Sequence, residues 1–298
     1  MKRNLLIIIL IYLCVSVSAQ LPVKWEELSS AEFVTAVAKA EKVCVVPMGV
    51  IEKHGPYLPL ATDLLRARDI AYEAAKKEYV VVFPEYYFGQ INEARHQPGV
   101  VAYDPELLLK LLEATCDEIH RNGFDKIILL NGHGGNNGML SFFGMALLNK
   151  RHDYSVYFAD VTDLFTDDNQ RKQVEAGYDR LPKGTMGHAG SDEASHILSL
   201  RPDLYKANCD SSESGKDLDR LKNLTLVTTG INWYSHFPNQ YGGNAAFANK
   251  ELGDLMRKTF TDGLVKAYKE VKADTVAPVL LKKFYDDSEE PLKTKQGK

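Results

Sequence analysis

The sequence predicts an α/β fold with three layers, in which a mostly parallel sheet carries helices on both faces. The first observation behind this prediction is that short apolar runs, rich in β-branched residues, alternate with longer segments of helical periodicity. The second is that two of these runs lead into breaker-rich loops that each contain a histidine, the first of them with carboxylates as well. In open parallel sheets, sites gather at the carboxyl ends of the strands. Strands separated by helices indicate parallel βαβ units.

The first half of the chain contains four predicted strands and the helices between them. The strands are the apolar runs 43–47, 79–83, 126–130 and 154–159. Apolar residues at helical spacing predict helices over 25–40, 64–77, 104–122 and 139–151. The third helix has the clearest ends, because Asp104 is a predicted N-cap, Pro105 occupies the first helical position and Gly123 terminates the helix.

Beyond Asp160 the pattern is less regular, and no change of composition marks a linker between two domains. We expect, in order, a partly irregular excursion over 162–190, a helix over 191–200, an exposed loop over 206–222, a last strand over 224–229 and a long helix over 244–271. We therefore predict a single domain over 20–285, followed by a charged, frayed tail over 286–298.

Residues 1–19 have the composition of a secretory signal peptide. Two basic residues precede an apolar run, and the small residues at 17–19 form a cleavage site before Gln20. The apolar run is too short for a comfortable transmembrane span, so we expect a secreted or periplasmic protein. The alternative is lipidation at Cys14, although the residues before it are larger than such a site usually has.

Charge and cysteine content narrow the range of partners. Cleavage before Gln20 would leave 279 of the 298 residues, and loss of the two basic residues would change the net charge from −4 to −6. A mildly acidic chain without a basic block has no electrostatic footprint for nucleic acid. The remaining cysteines, Cys44, Cys116 and Cys209, are odd in number and widely spaced, so they do not describe a disulfide framework.

The first candidate site is the loop after the run 43–47, which contains Glu52, His54 and Asp63. In extended backbone, residues two apart point the same way, so Glu52 and His54 can face one point in space. Two carboxylates and an imidazole at the end of a strand suit a divalent metal ion. The alternative is a solvated loop pair, with Asp63 as the N-cap of the next helix.

The second candidate site is the glycine-rich run 131–136, which follows the third strand. Its glycines allow the backbone to approach a ligand closely and leave amides free at the start of the next helix. We predict that His133 is a metal ligand and that Asn131 or Asn136 is a positioning group. The alternative is a glycine-rich turn with an incidental histidine.

The third candidate site is the segment that contains His188 and Glu193. We predict that His188 performs acid/base chemistry and that Glu193 lies at the metal and takes part in catalysis. In the alternative, Ser191 caps a helix, while Asp192 and Glu193 complement the helix dipole in its first turn.

Two further features are less specific. His196 lies one turn beyond Glu193, and we expect it to lie behind the ligands or on the polar face of the helix rather than at a metal. The loop 232–238 is rich in aromatic residues. It predicts either a wall around a small polar or ring-shaped substrate, or a surface for subunit packing.

Together, the three motifs resemble those of the creatininase (creatinine amidohydrolase) family. The matching residues are Pro47, Gly49, Glu52, His54, Gly55, Leu58, Pro59 and Asp63 in the first motif, Asn131 to Asn136 in the second, and His188, Ala189, Gly190 and Glu193 in the third. The resemblance implies an α/β metallohydrolase with one or two divalent ions of zinc, manganese or iron. It also implies a homo-oligomer that acts on a small non-peptide amide, cyclic amides included, through a metal-activated water.

Carried over by position, the resemblance implies that Glu52, His54, Asp63 and His133 are metal ligands. Asp63 is then the expected bridge between two ions, and His188 is the expected catalytic histidine.

One departure from the family pattern concerns the second residue after His133. Members that open creatinine itself carry a glutamate ligand there, in a His-Tyr-Glu sequence, whereas this chain has Gly135. Two ions would then be short of donors, which makes Glu193 the expected additional ligand. The chain is accordingly closer to the broader branch of the family with varied substrates.

Two other functions fit the same residues. One is hydrolytic ring opening of a keto-cyclitol or a sugar-derived compound. The other is a non-catalytic extracytoplasmic protein that binds a metal or a small molecule. The presence of His188 argues against the second of these.

Overall fold

The computed structural model describes residues 21–209 and 212–294. The predicted leader with its cleavage site, Cys14 and residues 295–298 of the charged tail lie outside these ranges. Within the described ranges, no helix has both the length and the apolar composition needed to cross a membrane.

The centre of the structure is a sheet of four parallel strands, as predicted. The strands are β1 (Val43–Met48), β2 (Val81–Val82), β3 (Lys126–Asn131) and β4 (Ser155–Asp160). Their order in the sheet is β2–β1–β3–β4. The central strands β1 and β3 are almost wholly buried, which is typical of a parallel sheet covered by helices on both faces.

The strand β2 is shorter than the predicted run 79–83. The N–H of Val82 donates to the carbonyl of Val23 at 2.8 Å, whereas the N–H of Phe83 donates to the carbonyl of Val45 at 2.8 Å. The run is therefore shared between the N-terminal segment and β1, and only two of its residues pair regularly with β1.

Nine α-helices occur in the part of the chain that is described. They are α1 (Ser30–Lys39), α2 (Thr62–Lys77), α3 (Pro105–Arg121), α4 (Asn136–Ala146), α5 (Asp168–Tyr178), α6 (Ser191–Leu200), α7 (Asn232–His236), α8 (Lys250–Ala273) and α9 (Val276–Glu289). Both ends of α3 are as predicted. Asp104 accepts a hydrogen bond from the N–H of Leu107 at 3.1 Å, and Gly123 adopts a φ of +103° just after the helix.

The predicted strand over 224–229 was wrong. The segment is irregular apart from a bend at 225–226, and it belongs to no strand of the described sheet. Its residues favour a strand only where a partner strand and a buried face are available. Leu226 is 95% exposed, so the segment lacks the buried face.

Several helices differ from the expected boundaries. α1 begins at Ser30 rather than at 25, and α4 spans Asn136–Ala146 rather than 139–151. α5 lies within the excursion that was expected to be partly irregular, and it begins after Asp167, which accepts a hydrogen bond from the N–H of Gln170 at 2.9 Å. The long helix α8 begins at Lys250 rather than at 244, because Asn249 caps it by accepting from the N–H of Leu252 at 2.8 Å.

The C-terminal helix α9 continues past the predicted start of the frayed tail at 286. Arg151 binds Asp286 at 2.7 Å and Glu289 at 3.0 Å, which ties the last turn of the helix to the body of the protein. The buried ring of Tyr285 adds an apolar anchor one residue earlier.

The connections between strands determine where a ligand can bind. Crossovers between parallel strands are right-handed, and here they lead from β1 outward to β2 and from β3 outward to β4, in opposite directions. The crevice between the carboxyl ends of β1 and β3 is therefore a topological switch point, where ligands bind in open α/β sheets.

Two glycines bring the first turn of α2 against this crevice. A Cβ atom on Gly49 would overlap the backbone of Leu64, and a Cβ atom on Gly132 would lie 2.6 Å from the carbonyl oxygen of Asp63. Both positions need glycine for this close approach. As a result, Asp63 is held at the ends of both central strands.

Candidate metal centre

All three sequence motifs meet at the switch point. The loop after β1 carries Glu52 and His54, the first turn of α2 carries Asp63, and the loop after β3 carries His133. The first turn of α6 brings Glu193 to the same place. Ala61 rather than Asp63 is the N-cap of α2, so the carboxylate of Asp63 is not used as a helix cap.

Glu52, Asp63 and His133 form one group of potential ligands. The Nδ1 atom of His133 lies 2.9 Å from Oε1 of Glu52 and 2.9 Å from Oδ2 of Asp63. All three side chains are buried, and their ligand atoms lie within 4.8 Å of one another. Two carboxylates and one imidazole form a donor set for a divalent transition metal.

His54, Asp63 and Glu193 form a second group directly beside the first. The Nε2 atom of His54 lies 3.3 Å from Oδ1 of Asp63 and 3.8 Å from Oε2 of Glu193. Asp63 therefore offers Oδ2 to the first group and Oδ1 to the second. This arrangement suits a carboxylate that bridges two ions.

Backbone carbonyls select the tautomers of both histidines. The Nε2 atom of His133 lies 2.9 Å from the carbonyl oxygen of Gln90, and the Nδ1 atom of His54 lies 3.3 Å from the carbonyl oxygen of Glu52. Because a carbonyl oxygen only accepts, these nitrogens carry the protons. The opposite nitrogen of each neutral ring thus presents a lone pair to the carboxylates, as in metal-binding histidines.

The buried oxygen atoms test whether a metal fits this donor set. Oε1 of Glu52 and Oδ2 of Asp63 are buried and accept no hydrogen bond from the described residues. Their short contacts with Nδ1 of His133 become hydrogen bonds only if that ring is doubly protonated. Three such atoms around one point need positive charge between them, and either a second proton on His133 or a divalent ion supplies it.

The same electrostatics appear in the pKa values of the metal-free site. Burial acts to lower the pKa of His54, but the carboxylates of Asp63, Glu52 and Glu193 together outweigh it and raise the pKa to about 9. Burial likewise acts to raise the pKa of Asp63, but His54 and His133 hold it well below its usual value. The pocket therefore binds positive charge, as protons or as metal.

Asn131 and Asn136 hold the loop that carries His133. Asn131 accepts from the N–H of His133 at 3.2 Å and donates to the carbonyl oxygen of the same residue at 2.8 Å. Asn136 donates to Oδ1 of Asn131 at 3.2 Å and accepts from the N–H of Gln90 at 2.8 Å. Both asparagines thus position backbone around the ligand rather than facing it.

Glu193 and Asp192 have different surroundings, although both lie in the first turn of α6. Oε2 of Glu193 faces His54 and accepts from the N–H of Ala189 at 2.8 Å. Asp192 turns back to the loop before the helix and accepts from the N–H of Gly187 at 3.0 Å. The N-cap of α6 is Gly190 without a side-chain cap, so the alternative of Ser191 as the cap was wrong.

His188 stands above the ligands. Its ring packs on that of His54 with centroids 4.6 Å apart, and its Nε2 atom lies 3.6 Å from Oε2 of Glu52 and 3.0 Å from the carbonyl oxygen of Lys53. Trp233 contacts His188 edge to face, with ring centroids 5.6 Å apart. The aromatic segment 232–238, which contains the short helix α7, therefore reaches the site itself.

Residues that the sequence did not single out complete the site. Arg66 is buried and binds both Glu193 and His196, so His196 lies behind the ligands. The carbonyls of Gln90 and Lys53 orient His133 and His188. A helical spacing of three between Asp63 and Arg66 could have indicated that these side chains share a face.

The family model described as Creatinine amidohydrolase matches residues 26–268 of the chain. The creatinine amidohydrolase of Pseudomonas putida is 25% identical over 266 residues, which cover 82% of this chain and 95% of that protein. A mycofactocin precursor peptide peptidase of Mycolicibacterium smegmatis is 34% identical over 98 residues, which cover 31% of this chain and 39% of that protein.

Solved structures of creatinine amidohydrolase have the same fold. One, described as creatininase, superposes with a TM-score of 0.71 at 21% identity and covers 85% of this chain and 99% of that one. Others with the same coverage are described as creatininase Mn and as a mutant of Zn–Zn type, with TM-scores of 0.70 and 0.69.

Proposed function

The chain belongs to the creatininase family and is a metal-dependent amidohydrolase, and from this premise we propose that its substrate is a small non-peptide amide other than creatinine. One observation carries the proposal: Nδ1 of His133, Oε1 of Glu52 and Oδ2 of Asp63 converge at one point in a buried site, where a neutral His133 would present a lone pair. Such a point is a place for a divalent ion.

We propose that the two groups of ligands hold two ions. Glu52, Asp63 and His133 would bind one ion, and His54, Asp63 and Glu193 the other. When bound, divalent ions lower the pKa of a water molecule and polarise a substrate carbonyl.

The residues around the ligands supply the proton transfers. Both neighbours of Nε2 of His188, the Lys53 carbonyl and the Glu52 carboxylate, are acceptors, so this nitrogen carries a proton. A charged His188 would donate that proton to the departing nitrogen and remain neutral with its proton on Nδ1. The amides of Gly134 and Gly135, just before α4, are candidates to hold the developing oxyanion.

The structure gives a physical reason to separate this chain from enzymes that open creatinine. A Cβ atom on Gly135 would fall on the ring of His133. A side chain at this position therefore requires the ring of His133 or the local backbone to shift from its place in this chain. Trp233 beside His188 further restricts the space over the ligands and favours a small or flat substrate.

A metal assay joined to a substrate panel tests the proposal. We expect the purified protein to hold one or two transition-metal ions per chain and to hydrolyse at least one small lactam or formamide faster than creatinine. Creatinine as the best substrate would refute the proposed substrate class. Bound metal without hydrolysis of any amide would favour a binding protein instead.

We also propose that the protein is exported and that it self-associates. The basic start, apolar run and small-residue site of the first 19 residues support export, and mass spectrometry of the exported form should find the chain beginning at Gln20. Retention of the leader, or a lipid on Cys14, would contradict this.

An apolar stripe on α9 supports self-association, since Val276, Val279 and Leu280 are all exposed.

A further inference from the structure

Arg66 joins two helices directly beneath the second group of ligands. It lies on α2, one turn after Asp63, and is only 3% exposed. Its Nη1 donates to Oε1 of Glu193 at 2.9 Å, and its Nε donates to Nδ1 of His196 at 3.3 Å. Glu193 and His196 are three residues apart on α6, so a single guanidinium group holds one face of that helix.

This contact divides the two oxygens of Glu193 between two tasks. Oε1 is occupied by Arg66, whereas Oε2 faces Nε2 of His54 at 3.8 Å. The N–H of Ala189 binds the same Oε2 at 2.8 Å and fixes the plane of the carboxylate. Glu193 can therefore offer one oxygen to an ion and not two.

We propose that Arg66 is a positioning residue that holds Glu193 as a one-oxygen ligand of the ion shared with His54 and Asp63. The inference rests on the proposed two-ion site and adds a determinant outside the three motifs. The planar fork of arginine can bind a carboxylate and an imidazole at the same time, which a lysine ammonium on a flexible stem does not reproduce. His196 completes the anchor, because its Nδ1 accepts from Arg66.

If the inference is correct, mutation of Arg66 should affect the two ions differently. Neither oxygen that faces His133 contacts Arg66 in the described structure, so the ion at Glu52, Asp63 and His133 should be retained when Arg66 changes. Loss of a residue that orients a metal ligand lowers metal affinity by about 10- to 100-fold. Only the ion at His54, Asp63 and Glu193 should show that loss.

Calorimetric titration of chelator-treated protein with Mn²⁺ alone measures the affinity of each of the two ion-binding steps. Wild type is expected to take up two ions, and Arg66→Lys, which keeps the charge, is expected to bind the second ion about 10- to 100-fold more weakly. His196→Leu removes the anchor and should weaken the same step, whereas His196→Gln keeps an acceptor and should largely restore it. If the Arg66→Lys variant does not fold, the comparison of His196→Leu with His196→Gln tests the inference instead.

Arg257→Lys is the matched control. Arg257 also joins α2 to another helix through a forked contact, at 2.5 and 2.6 Å from Asp69, but it lies outside the site. The Arg257→Lys variant should lower the stability of the protein and leave both Mn²⁺-binding steps unchanged. Two unchanged steps in Arg66→Lys and His196→Leu, or a tighter second step, would overturn the inference. A wild type that binds no Mn²⁺ would instead refute the proposed function.

Discussion

Nδ1 of His133 lies 2.9 Å from Oδ2 of Asp63, and in the tautomer that the Gln90 carbonyl selects neither atom carries a hydrogen. The other oxygen of Asp63 lies 3.3 Å from His54. One aspartate thus faces both histidines through different oxygens, and the bridging role expected for Asp63 has a geometric basis.

Substitution of Asp63 should therefore affect both ions. We expect Asp63→Asn to reduce metal content to below one ion per chain, because each group loses its shared carboxylate. Metal analysis of the purified variant measures this. The matched control is Asp69→Asn, a change of the same kind on the same helix, at a residue that pairs with Arg257 instead. Equal metal content in wild type and Asp63→Asn would contradict the site.

The pH dependence of metal affinity follows from the proton that a metal must displace. The pKa of His54 is raised to about 9 in the metal-free protein, so below that pH a proton occupies its place at the carboxylates. We expect Mn²⁺ affinity to increase with pH between about 6.5 and 9, since ligand histidines must be neutral. Titration calorimetry at several pH values measures it, and an affinity that falls over this range would contradict the assignment.

The stability of the chelator-treated protein should change with pH in the opposite direction. Because the pKa of His54 is raised from 6.5 to about 9 by folding, the charged ring stabilises the fold fully below pH 6.5 and loses that contribution as the pH rises through 9. The pKa of His133 is raised as well. We expect the Tm of metal-free protein to decrease over this range, and a Tm that rises steadily would argue against these raised values.

The role of His188 can be separated from metal binding. We expect His188→Ala to keep its ions, because Nε2 of His188 is bound to the Lys53 carbonyl, while kcat on the best amide substrate falls by about 10²- to 10⁴-fold. Metal analysis and steady-state kinetics on the same sample measure both. Loss of metal in His188→Ala would make this residue a ligand instead.

The sheet and most of the candidate site could be predicted because their signals are local. The cap and terminating glycine of α3 lie next to the helix they bound, and each motif follows a strand whose carboxyl end reaches the same edge. Parallel βαβ order then brings Glu52 and His133 together without knowledge of any side-chain contact.

The parts that sequence did not predict depend on distant partners. Arg66 acquires its meaning from Glu193, 127 residues away, and nothing near it in the chain indicates that pairing. The segment 224–229 has the composition of a strand but finds no place in the sheet, and α9 is stabilised at its end by Arg151, 135 residues before Asp286.

The last prediction concerns the glycine that replaces the glutamate of creatinine-opening enzymes. A Cβ atom on Gly135 would fall on the ring of His133, whereas one on Gly134 would meet nothing within 4 Å. Gly135→Ala should therefore displace His133 from Glu52 and Asp63 and lower the metal content by about one ion per chain. Gly134→Ala, the matched neighbour, should keep both ions.

The variant Gly135→Glu separates two explanations of the same glycine. If the position merely lacks a ligand, the added carboxylate should increase metal affinity and bring activity on creatinine. If the glycine is required for His133 to reach the ion, the added side chain should remove metal despite its charge. The geometry at Gly135 favours the second outcome, and a Gly135→Glu protein with tighter metal binding would refute it.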